Sequence, residues 1–522
     1  MTITMAKDGR LRAVFRPRLA PLAIAAMLAS APSHADWRIQ PTLNLNESYT
    51  DNIALNDKAN EKAQLISELN PGLIITGTGR RFQFNTVAQW HHFAYSNDRL
   101  DNTLDHTFDF ALNGRGELLD DFLFVDVAAT QTPRSVLAFG PQVEGTPYLG
   151  DNRVDVRTWR ITPSLRHRFG NVAQLDMSYS RDGVDAGEFD PFSNTIGDTV
   201  SANLSSGPSQ RSLGWSLNLM RQELDSDFGG DTSTEMASAS LQYALTRRLA
   251  LTASAGYDSY DFPTLRERNA GRNWSVGFDW SPSQRTRVNA SIGRHFYGQT
   301  GRLDASHRSR HTVWKIIYGD GITTSRQQLL LPSTIDTAAL LDSLFAASIS
   351  DPLLRQQAVA NYIRNAGLPP SLANDINYLS NRYIRQRQLQ AVSVYTKGRS
   401  TAAATLFRTE RIALSSQQSD SPLLGNQLAN LNDNVREQGV NLNYAYKLNP
   451  RSNLNAATSY SRSRSITTGI EDERSYFRIG YTRELGKSLR GVVELRHQRG
   501  TYGFNDSSYR ENAISAGISA QL

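Results

Sequence analysis

The sequence predicts an all-β fold: a transmembrane antiparallel β-barrel of about 22 strands, within a range of roughly 18 to 24, with one helical insertion. Three observations lead to this prediction. Segments from Trp37 onward alternate apolar and polar residues, they run for about 9 to 13 residues, and short connections alternate with long ones. Strands of this length cross a bilayer at a tilt, and tight turns on one side with long loops on the other are typical of outer-membrane barrels.

The alternation is clearest between Ala173 and Ser180, where odd positions are apolar and even positions are polar. Leu213 to Leu219 and Val440 to Tyr446 repeat it. Successive strand side chains point to opposite faces, so each segment has one apolar and one wet face. A soluble β-sandwich gives the same alternation, but the segment length, the mid-strand charges and the loop pattern favour a barrel. Aromatic girdles are expected from the seven tryptophans, which fall within or beside these segments: Trp37, Trp90, Trp159, Trp215, Trp274, Trp280 and Trp314.

Composition excludes several classes of protein. The chain has 522 residues with a mean hydropathy of −0.45, which rules out a bundle of membrane helices. It contains no cysteine, which rules out a disulfide framework, a thiolate metal site and an acylated lipoprotein.

The first 35 residues are expected to be a cleaved signal peptide. Met1 to Arg18 is basic, Leu19 to Ser30 is a short apolar run, and Ser33-His34-Ala35 supplies small residues at the cleavage site. A retained signal anchor would need about 20 apolar residues, more than this run provides. We therefore expect cleavage before Asp36 and a barrel formed by residues 36–522.

Net charge argues against a nucleic-acid partner. The chain has 56 Lys and Arg against 50 Asp and Glu, but five of the basic residues and one acid lie in residues 1–35. The remaining 51 basic and 49 acidic residues leave a charge of +2. We expect a monomeric integral protein of the bacterial outer membrane, surrounded by outer-membrane lipids and lipopolysaccharide.

Strand parity needs one further strand. About 21 segments alternate clearly, whereas a bacterial barrel has an even number. With His311 to Tyr318 running towards the periplasm and a periplasmic turn at Lys397 to Ser400, a strand is missing between them. Ile322 to Leu329, after a turn at Gly319-Asp320-Gly321, is predicted to supply it.

Residues 335–390 are predicted to form the helical insertion. Leu340, Leu341, Leu344 and Phe345 form a helical stripe, Asp351 with Pro352 suits a helix start, and Ser371 would cap a helix running through Ile384. The insertion is either a plug or lid on the lumen or a helical loop packed outside the rim. A plug would include Leu340, Leu344, Phe345, Tyr383 and Arg385.

Arginines dominate the predicted lumen face. These are Arg160, Arg166, Arg168, Arg287, Arg478 and Arg496. The planar guanidinium suits carboxylates and phosphates, so one interpretation is a lumen that favours an anionic or hydroxyl-rich polymer. The alternative is that these arginines pair with luminal acids such as Asp176 and Glu494 and stiffen the wall.

No motif for chemistry is present. HExxH, GxSxG and a phosphate-cradling Gly loop are all missing, and His91 and His92 fall on opposite strand faces. We therefore predict no enzyme, no metal and no cofactor. An Asp/His pair assembled across loops, as in barrel proteases, is kept as an alternative because no motif would reveal it.

Several segments together resemble a known family. They are Leu43 to Ile53, Pro71-Gly72, Thr312 to Lys315 with Thr323 to Gln328, the block around Leu340 to Gln357, and Asn381 to Tyr383. In these the chain resembles the outer-membrane proteins encoded beside exosortase/PEP-CTERM and exopolysaccharide loci, over essentially the whole mature chain. The resemblance implies a barrel tied to polysaccharide export, with no catalytic residues to carry over. The chain departs from the usual pattern of such barrels by ending in Leu522 rather than an aromatic residue.

Three functional hypotheses follow. The first is a porin-like conduit that exports an exopolysaccharide or an associated surface polymer, with periplasmic export proteins as partners. The second is a non-conducting structural or docking barrel of a surface-polymer secretion system. The third is an outer-membrane hydrolase.

Overall fold

The computed structural model describes residues 36–98, 100–135, 138–140, 142, 146–186, 195–210, 212–226, 231–261, 269–330, 383–414, 434–486, 488–503 and 507–522. The first strands are β1 Asp36–Thr50, β2 Gln64–Thr78, β3 Phe82–Tyr95, β4 His106–Leu119, β5 Leu123–Ser135, β6 Arg153–Phe169, β7 Ala173–Asp185 and β8 Thr195–Ser206. They are followed by β9 Leu213–Ser226, β10 Thr232–Ala244, β11 Leu249–Asp261, β12 Ala270–Ser283, β13 Thr286–His295, β14 Gly298–Arg308 and β15 Thr312–Thr323. After a short helix, α1 Ser325–Leu330, come β16 Ile384–Lys397, β17 Ser400–Ala413, β18 Asn434–Asn449, β19 Ser452–Ser465, β20 Glu471–Glu484, β21 Leu489–Tyr502 and β22 Ser507–Gln521.

The strands form one closed barrel. Each pairs antiparallel with the next along the chain, and β1 pairs with β22 from Thr42 opposite Gln521 to Thr50 opposite Ala513. All 22 strands therefore belong to a single sheet without an edge, which confirms the predicted antiparallel barrel of about 22 strands.

The position of the extra strand was predicted wrongly. Gly319, Asp320 and Gly321 do not turn; they continue β15, which runs away from the short-turn end of the barrel, opposite to the expected direction. The predicted strand at Ile322–Leu329 is instead the end of β15 followed by α1. A turn at Asp320 is avoided because β16 continues the ladder there and Arg385 holds the Asp320 carboxylate at 2.7 Å.

Because β15 runs outward, one inward strand is enough to reach the turn at Lys397 to Ser400. This strand is β16, whose first residues, Ile384 to Gln390, lie inside the predicted helical insertion. The prediction of helix through Ile384, and of an insertion extending to residue 390, is wrong for Ile384 onward. The predicted helix is rich in arginine, but Arg385 and Arg387 alternate with Gln386 and Gln388 as strand residues do. Arg387 reaches Glu410 on β17 across the strand pair, at 3.5 Å. The signal peptide and the plug residues Leu340, Leu344 and Phe345 lie outside the described residues.

One face of every strand points outward and is apolar. On β1, Ile39, Leu43 and Leu45 are exposed although they are hydrophobic, and Leu217 and Leu219 repeat this on β9. Such a band of exposed apolar side chains fits contact with lipid rather than water. The opposite face, which we call luminal, carries mostly amide, hydroxyl and charged side chains.

The tryptophans form two outward girdles. All seven lie in register with the exposed apolar side chains. Trp37, Trp215, Trp280 and Trp314 lie near the short-turn end, and Trp90, Trp159 and Trp274 lie towards the other end. Aromatic belts at both interfaces mark the two surfaces of a membrane. The chain is an integral protein of the bacterial outer membrane, with its short turns at the periplasmic end.

No described helix is both long and apolar enough to span a membrane.

Candidate functional site: an open inner half and a filled outer half of the lumen

The luminal wall is built largely from uncharged hydrogen-bonding side chains. Strands β8, β9 and β10, each described over its full length, carry no ionisable residue on the luminal face. Their hydroxyls and amides bond across strands, as between Ser178 and Ser201 at 2.7 Å and between Gln222 and Thr199 at 3.1 Å. Ser254 and Ser275 make a similar 2.7 Å contact. This sector therefore offers donors and acceptors without a net charge.

A cavity of about 440 Å³ lies against the wall towards the periplasmic end. Its polar lining includes Gln83, Asn85, Asn113, Arg115 and Arg160. These side chains come from neighbouring strands β3 to β6, whose short turns meet at this end. Asp126 also lines this cavity, 3.8 Å from Arg115, so the inner half of the lumen contains a solvated recess with neutral, cationic and anionic groups.

Three of the predicted lumen arginines are paired. Arg166 donates to Asp176 at 2.9 Å, Arg478 lies 3.7 Å from Glu494, and Arg496 lies 2.7 Å from Glu511. The first two pairs involve the acids that the sequence offered as partners, so the pairing on which the wall-stiffening alternative depends is present at those positions.

Arg166 also lies against an aromatic ring. The guanidinium carbons of Arg166 and Arg115 are 5.5 Å and 5.4 Å from the ring centre of Phe124. The structure places Arg160 and Arg168 on the luminal face of β6, in register with Arg166, and Arg287 on the luminal face of β13. None of the three has an ion-pair partner among the described residues.

The outer half of the lumen is filled by connections that fold inward. The β5–β6 connection places Tyr148, which is 4% exposed, against the luminal side of β21 and β22. The Tyr148 hydroxyl donates to Glu511 at 3.2 Å and accepts from Arg496 at 3.0 Å. Thr50 donates to the same carboxylate at 2.7 Å. Burial raises the pKa of Tyr148 above its ordinary value, so its hydroxyl stays protonated and continues to donate.

A second anchor holds the same connection earlier in the chain, at residues 138–140. The backbone N–H of Gly140 donates to the buried carboxylate of Asp472 on β20 at 2.6 Å. Arg474 donates to the carbonyls of Ala138 and Gly140 at 3.3 and 3.4 Å, while its charge faces Glu437 at 3.3 Å. Residues 138–140 are therefore tied to the wall opposite their own strands.

The β1–β2 connection packs against the β5–β6 connection and forms an apolar cluster with it. Ile53 and Leu55, each 1% exposed, pack with Phe93, Tyr148 and Tyr509. Their backbone is fixed by side chains of the barrel, since Tyr502 donates its hydroxyl to the Leu55 carbonyl at 2.7 Å. Two connections thus form a small core inside the barrel mouth.

Helix α1 fills another part of the mouth. Arg326 points to β7, where one of its terminal nitrogens lies 3.0 Å from Asp182, and its Nε donates to Thr195 at 2.7 Å. Both members of this pair are buried, at 5% and 3% side-chain exposure. The guanidinium lies directly over Gly197, where an added Cβ would be 2.5 Å from it. Only glycine leaves room for this contact.

The same helix also reaches the opposite wall. Gln328 accepts from Arg411 of β17 at 2.7 Å and donates to Gln386 of β16. Gln327 donates to Gln222 of β9 at 3.3 Å. Because β7–β9 and β16–β17 lie far apart around the barrel, α1 links two sides of the lumen.

Two of the predicted plug residues are described, and neither belongs to a helix. Tyr383 precedes β16; it is 5% exposed and its hydroxyl lies 3.1 Å from Thr232 of β10. It packs with Tyr260 and Leu414, so it does lie among buried residues of the mouth. Arg385 is a strand residue paired with Asp320 and stacked on Tyr297.

Sequence reasoning missed most of the residues that fill the mouth. Tyr148, Asp182 and Arg326 lay in segments read as loop or strand, and their partners are more than 100 residues away along the chain. It also missed a luminal cluster in which His91 lies 2.9 Å from Glu68 and 3.5 Å from Asp109. Strand parity alone would have placed Glu68 and His91 on the same face. Within the described ranges, no group of three or more His, Asp or Glu has the arrangement of a metal site.

Comparisons with solved structures find a likeness to outer-membrane barrels. No family model matches the chain, and no curated protein matches it. Among solved structures it is similar to the FrpB iron transporter of Neisseria meningitidis, at 11% identity over 92% of this chain and 81% of that one, with a TM-score of 0.48. The siderophore receptor PirA of Pseudomonas aeruginosa matches at 8% identity over 93% and 80%, with a TM-score of 0.44. The outer membrane protein opdK of the same species matches at 10% over 93% and 99%, with a TM-score of 0.34. None of these structures is similar enough to indicate which substrate this chain transports or binds.

Proposed function

We propose that the barrel is a gated conduit that exports a hydroxyl-rich exopolysaccharide, or a surface polymer sorted with it, across the outer membrane. The observation that carries this proposal is the contrast along the lumen. Along β3 to β10 the inner half offers a solvated wall rich in amides and hydroxyls, and the outer half is filled by segments held only by non-covalent contacts. The resemblance to the exosortase/PEP-CTERM-associated family supports the same assignment.

The chemistry of the wall suits sugars. A neutral polysaccharide presents hydroxyls that must exchange water for other hydrogen-bonding groups as it moves, and side-chain amides and hydroxyls provide them. Weak, repeated contacts of this kind allow a polymer to enter and to leave, whereas a strongly charged wall would retain an oppositely charged chain. The uncharged luminal faces of β8, β9 and β10 therefore favour a hydroxyl-rich over a strongly anionic cargo.

A non-conducting docking barrel is the second candidate, and one observation favours it. The luminal face of β16 and β17 is buried along much of its length, with Val392, Val394, Thr405 and Phe407 at most 4% exposed. A lumen that is filled and charge-paired would stiffen the barrel and leave no path for flux.

Single-channel recording in planar bilayers separates the two. The full-length protein would be compared with the double variant Asp182→Asn/Arg326→Gln, which removes the buried charges that hold α1. We expect rare, brief openings for the unaltered protein and sustained conductance for the variant, because a neutral hydrogen bond between Asn and Gln is weaker than the charge-assisted contacts that hold α1 on β7. The matched control is Arg166→Gln/Asp176→Asn, which removes a wall ion pair that does not touch α1.

Cargo is tested with the same open variant. Neutral dextran added on the periplasmic side should block the current in a length-dependent way, and polygalacturonate of similar length should block it less. If every form stays closed, the conduit proposal fails and the docking barrel is supported.

A further inference from the structure

We propose that the outer wall at the closing seam of the barrel, formed by β20, β21, β22 and β1, binds a phosphorylated lipid of the outer leaflet. A groove of about 400 Å³ lies on this wall. Its lining includes Tyr49, Phe477, Ile479, Leu495 and Ile514. These residues belong to the outward apolar band, so the groove opens to lipid.

The strand register arranges this surface in three rows. In the lowest row Ile479, Leu495, Ile514 and Tyr49 are direct neighbours across four strands. One step towards the extracellular end, Phe477, His497 and Asn512 follow. The next step brings Ser475, Arg499 and Arg510. From the bottom row upward the side chains are apolar, then polar, then cationic. This order matches the acyl chains, the polar linkage region and the phosphate of a lipid.

The two arginines of the uppermost row favour the binding of an anion. Arg499 and Arg510 are directly opposite each other on β21 and β22, point outward and are both exposed. Neither has an ion-pair partner among the described residues. Like charges directly opposite each other on a sheet destabilise it, and a phosphate between two guanidiniums relieves that repulsion while forming charge-assisted hydrogen bonds.

The middle row is already satisfied within the protein. Asp51 accepts from both the backbone and the side-chain nitrogens of Asn512 at 2.7 Å, and His497 lies 2.8 Å from the Asn512 amide oxygen. The Asp51 carboxylate is therefore bonded to Asn512 and does not neutralise the arginines one step above.

The opposite side of the barrel lacks this feature. On β7 to β10, Arg181 lies 3.9 Å from Asp198, and Arg221 lies 2.7 Å from Glu223 and 3.3 Å from Glu235. Outward arginines at a similar level are thus neutralised there by the protein itself. The seam differs from this sector because its two outward arginines lie directly opposite each other, have no ion-pair partner among the described residues and stand above an apolar groove, which is why we assign the lipid to the seam.

Native mass spectrometry of the detergent-solubilised full-length protein tests this site. The probes are bisphosphorylated lipid A and the same lipid with both phosphates removed. We expect the phosphorylated form to be retained. We expect Arg499→Gln/Arg510→Gln to bind it at least about tenfold more weakly, since each charge-assisted hydrogen bond contributes about 1.5 kcal/mol or more. The matched control, Arg181→Gln/Arg221→Gln, should bind as the unaltered protein does.

A second variant tests the groove without touching charge. Ile479→Trp fills the apolar floor and should weaken retention of the phosphorylated lipid while both arginines remain. Heat-modifiable gel mobility would verify that each variant is a closed barrel. Equal retention of the dephosphorylated lipid, an equal loss in the control, or complete displacement by 10 mM inorganic phosphate alone would each overturn a lipid site.

Discussion

The two halves of the lumen differ in how far their ion-paired side chains are exposed to solvent. In the inner half, Arg166 and Asp176 are 42% and 38% exposed and face water. In the outer half, Arg496 and Glu511 are 13% and 0% exposed, and Arg326 and Asp182 are equally withdrawn. The comparison shows that similar ion pairs have different roles. Those of the inner half lie on a solvated wall, and those of the outer half hold chain segments inside the mouth.

The energetic consequence follows from burial. A solvent-exposed ion pair contributes about 0–1 kcal/mol, whereas removing one partner of a buried pair costs about 3–5 kcal/mol because the other charge is left without compensation. Variants of the outer half should therefore have large effects, and matched variants of the inner half should have small ones.

The largest effect is expected for Glu511→Gln. This change leaves Arg496 buried without its carboxylate, and it replaces the oxygen that accepts from Gln498 with an NH2 donor, while one amide oxygen remains for Tyr148 and Thr50. We expect a loss of about 3 kcal/mol in the free energy of unfolding, measured by guanidinium titration with tryptophan fluorescence. Glu494→Gln, in a more exposed pair with Arg478, serves as control and should cost less than about 1 kcal/mol. Equal losses in both would contradict the distinction between the two halves.

Arg326→Gln should come next. It leaves Asp182 without its cation, so α1 should detach from β7. Detachment lets water reach the carboxylate, which lowers the cost to about 2 kcal/mol, below the range for a charge that stays buried. Hydrogen exchange at residues 325–330 and 182–184 should speed up while exchange in β12 to β14 stays unchanged. Slow exchange at α1 in this variant would show that Arg326 does not hold the helix.

A smaller loss is expected for Tyr148→Phe. The hydroxyl is removed, but Glu511 keeps Arg496 and Thr50 as partners, so the carboxylate stays satisfied. One hydrogen bond is worth about 1 kcal/mol net, and the midpoint of the guanidinium titration should shift accordingly. A shift as large as that of Glu511→Gln would mean that the ring, rather than the ion pair, holds the β5–β6 connection.

The smallest effect is expected for Arg166→Gln. The pair with Asp176 is well exposed, so stability should change by less than about 1 kcal/mol. The functional readout is dextran block in the open Asp182→Asn/Arg326→Gln background, which should be retained if the neutral wall carries the cargo. If dextran no longer blocked the current in this variant, Arg166, which lies against Phe124, would be the group that recognises the polymer.

The fold was predictable because it depends on local patterns. Period-two alternation and the alternation of short and long connections lie along the chain, and both are repeated many times. The errors arose at β15 and β16, where two glycines around Asp320 suggested a turn and a cap at Ser371 suggested a helix running through Ile384. The Arg385–Asp320 pair, which joins residues 65 apart, decides against both readings, and no local pattern reveals it.

The site was predictable only where its contacts join adjacent strands. Arg166 and Asp176 are ten residues apart across one tight turn, so parity alone places them together. Arg496 and the Tyr148 hydroxyl are 348 residues apart, and Arg326 and Asp182 are 144 apart. Such contacts depend on the way in which the long connections fold into the mouth. The alternation of apolar and polar residues describes the strands and carries no information about these connections.

Reversible cross-linking of α1 tests the gated conduit most directly. The chain has no cysteine, so the pair Gln222→Cys/Gln327→Cys, introduced into the open Arg326→Gln/Asp182→Asn variant, can be bridged by a short bis-methanethiosulfonate without background. The predicted result is loss of single-channel current on bridging and its full return on reduction. Current that persists through bridging would contradict a gate at α1, and no current in any state would contradict a conduit.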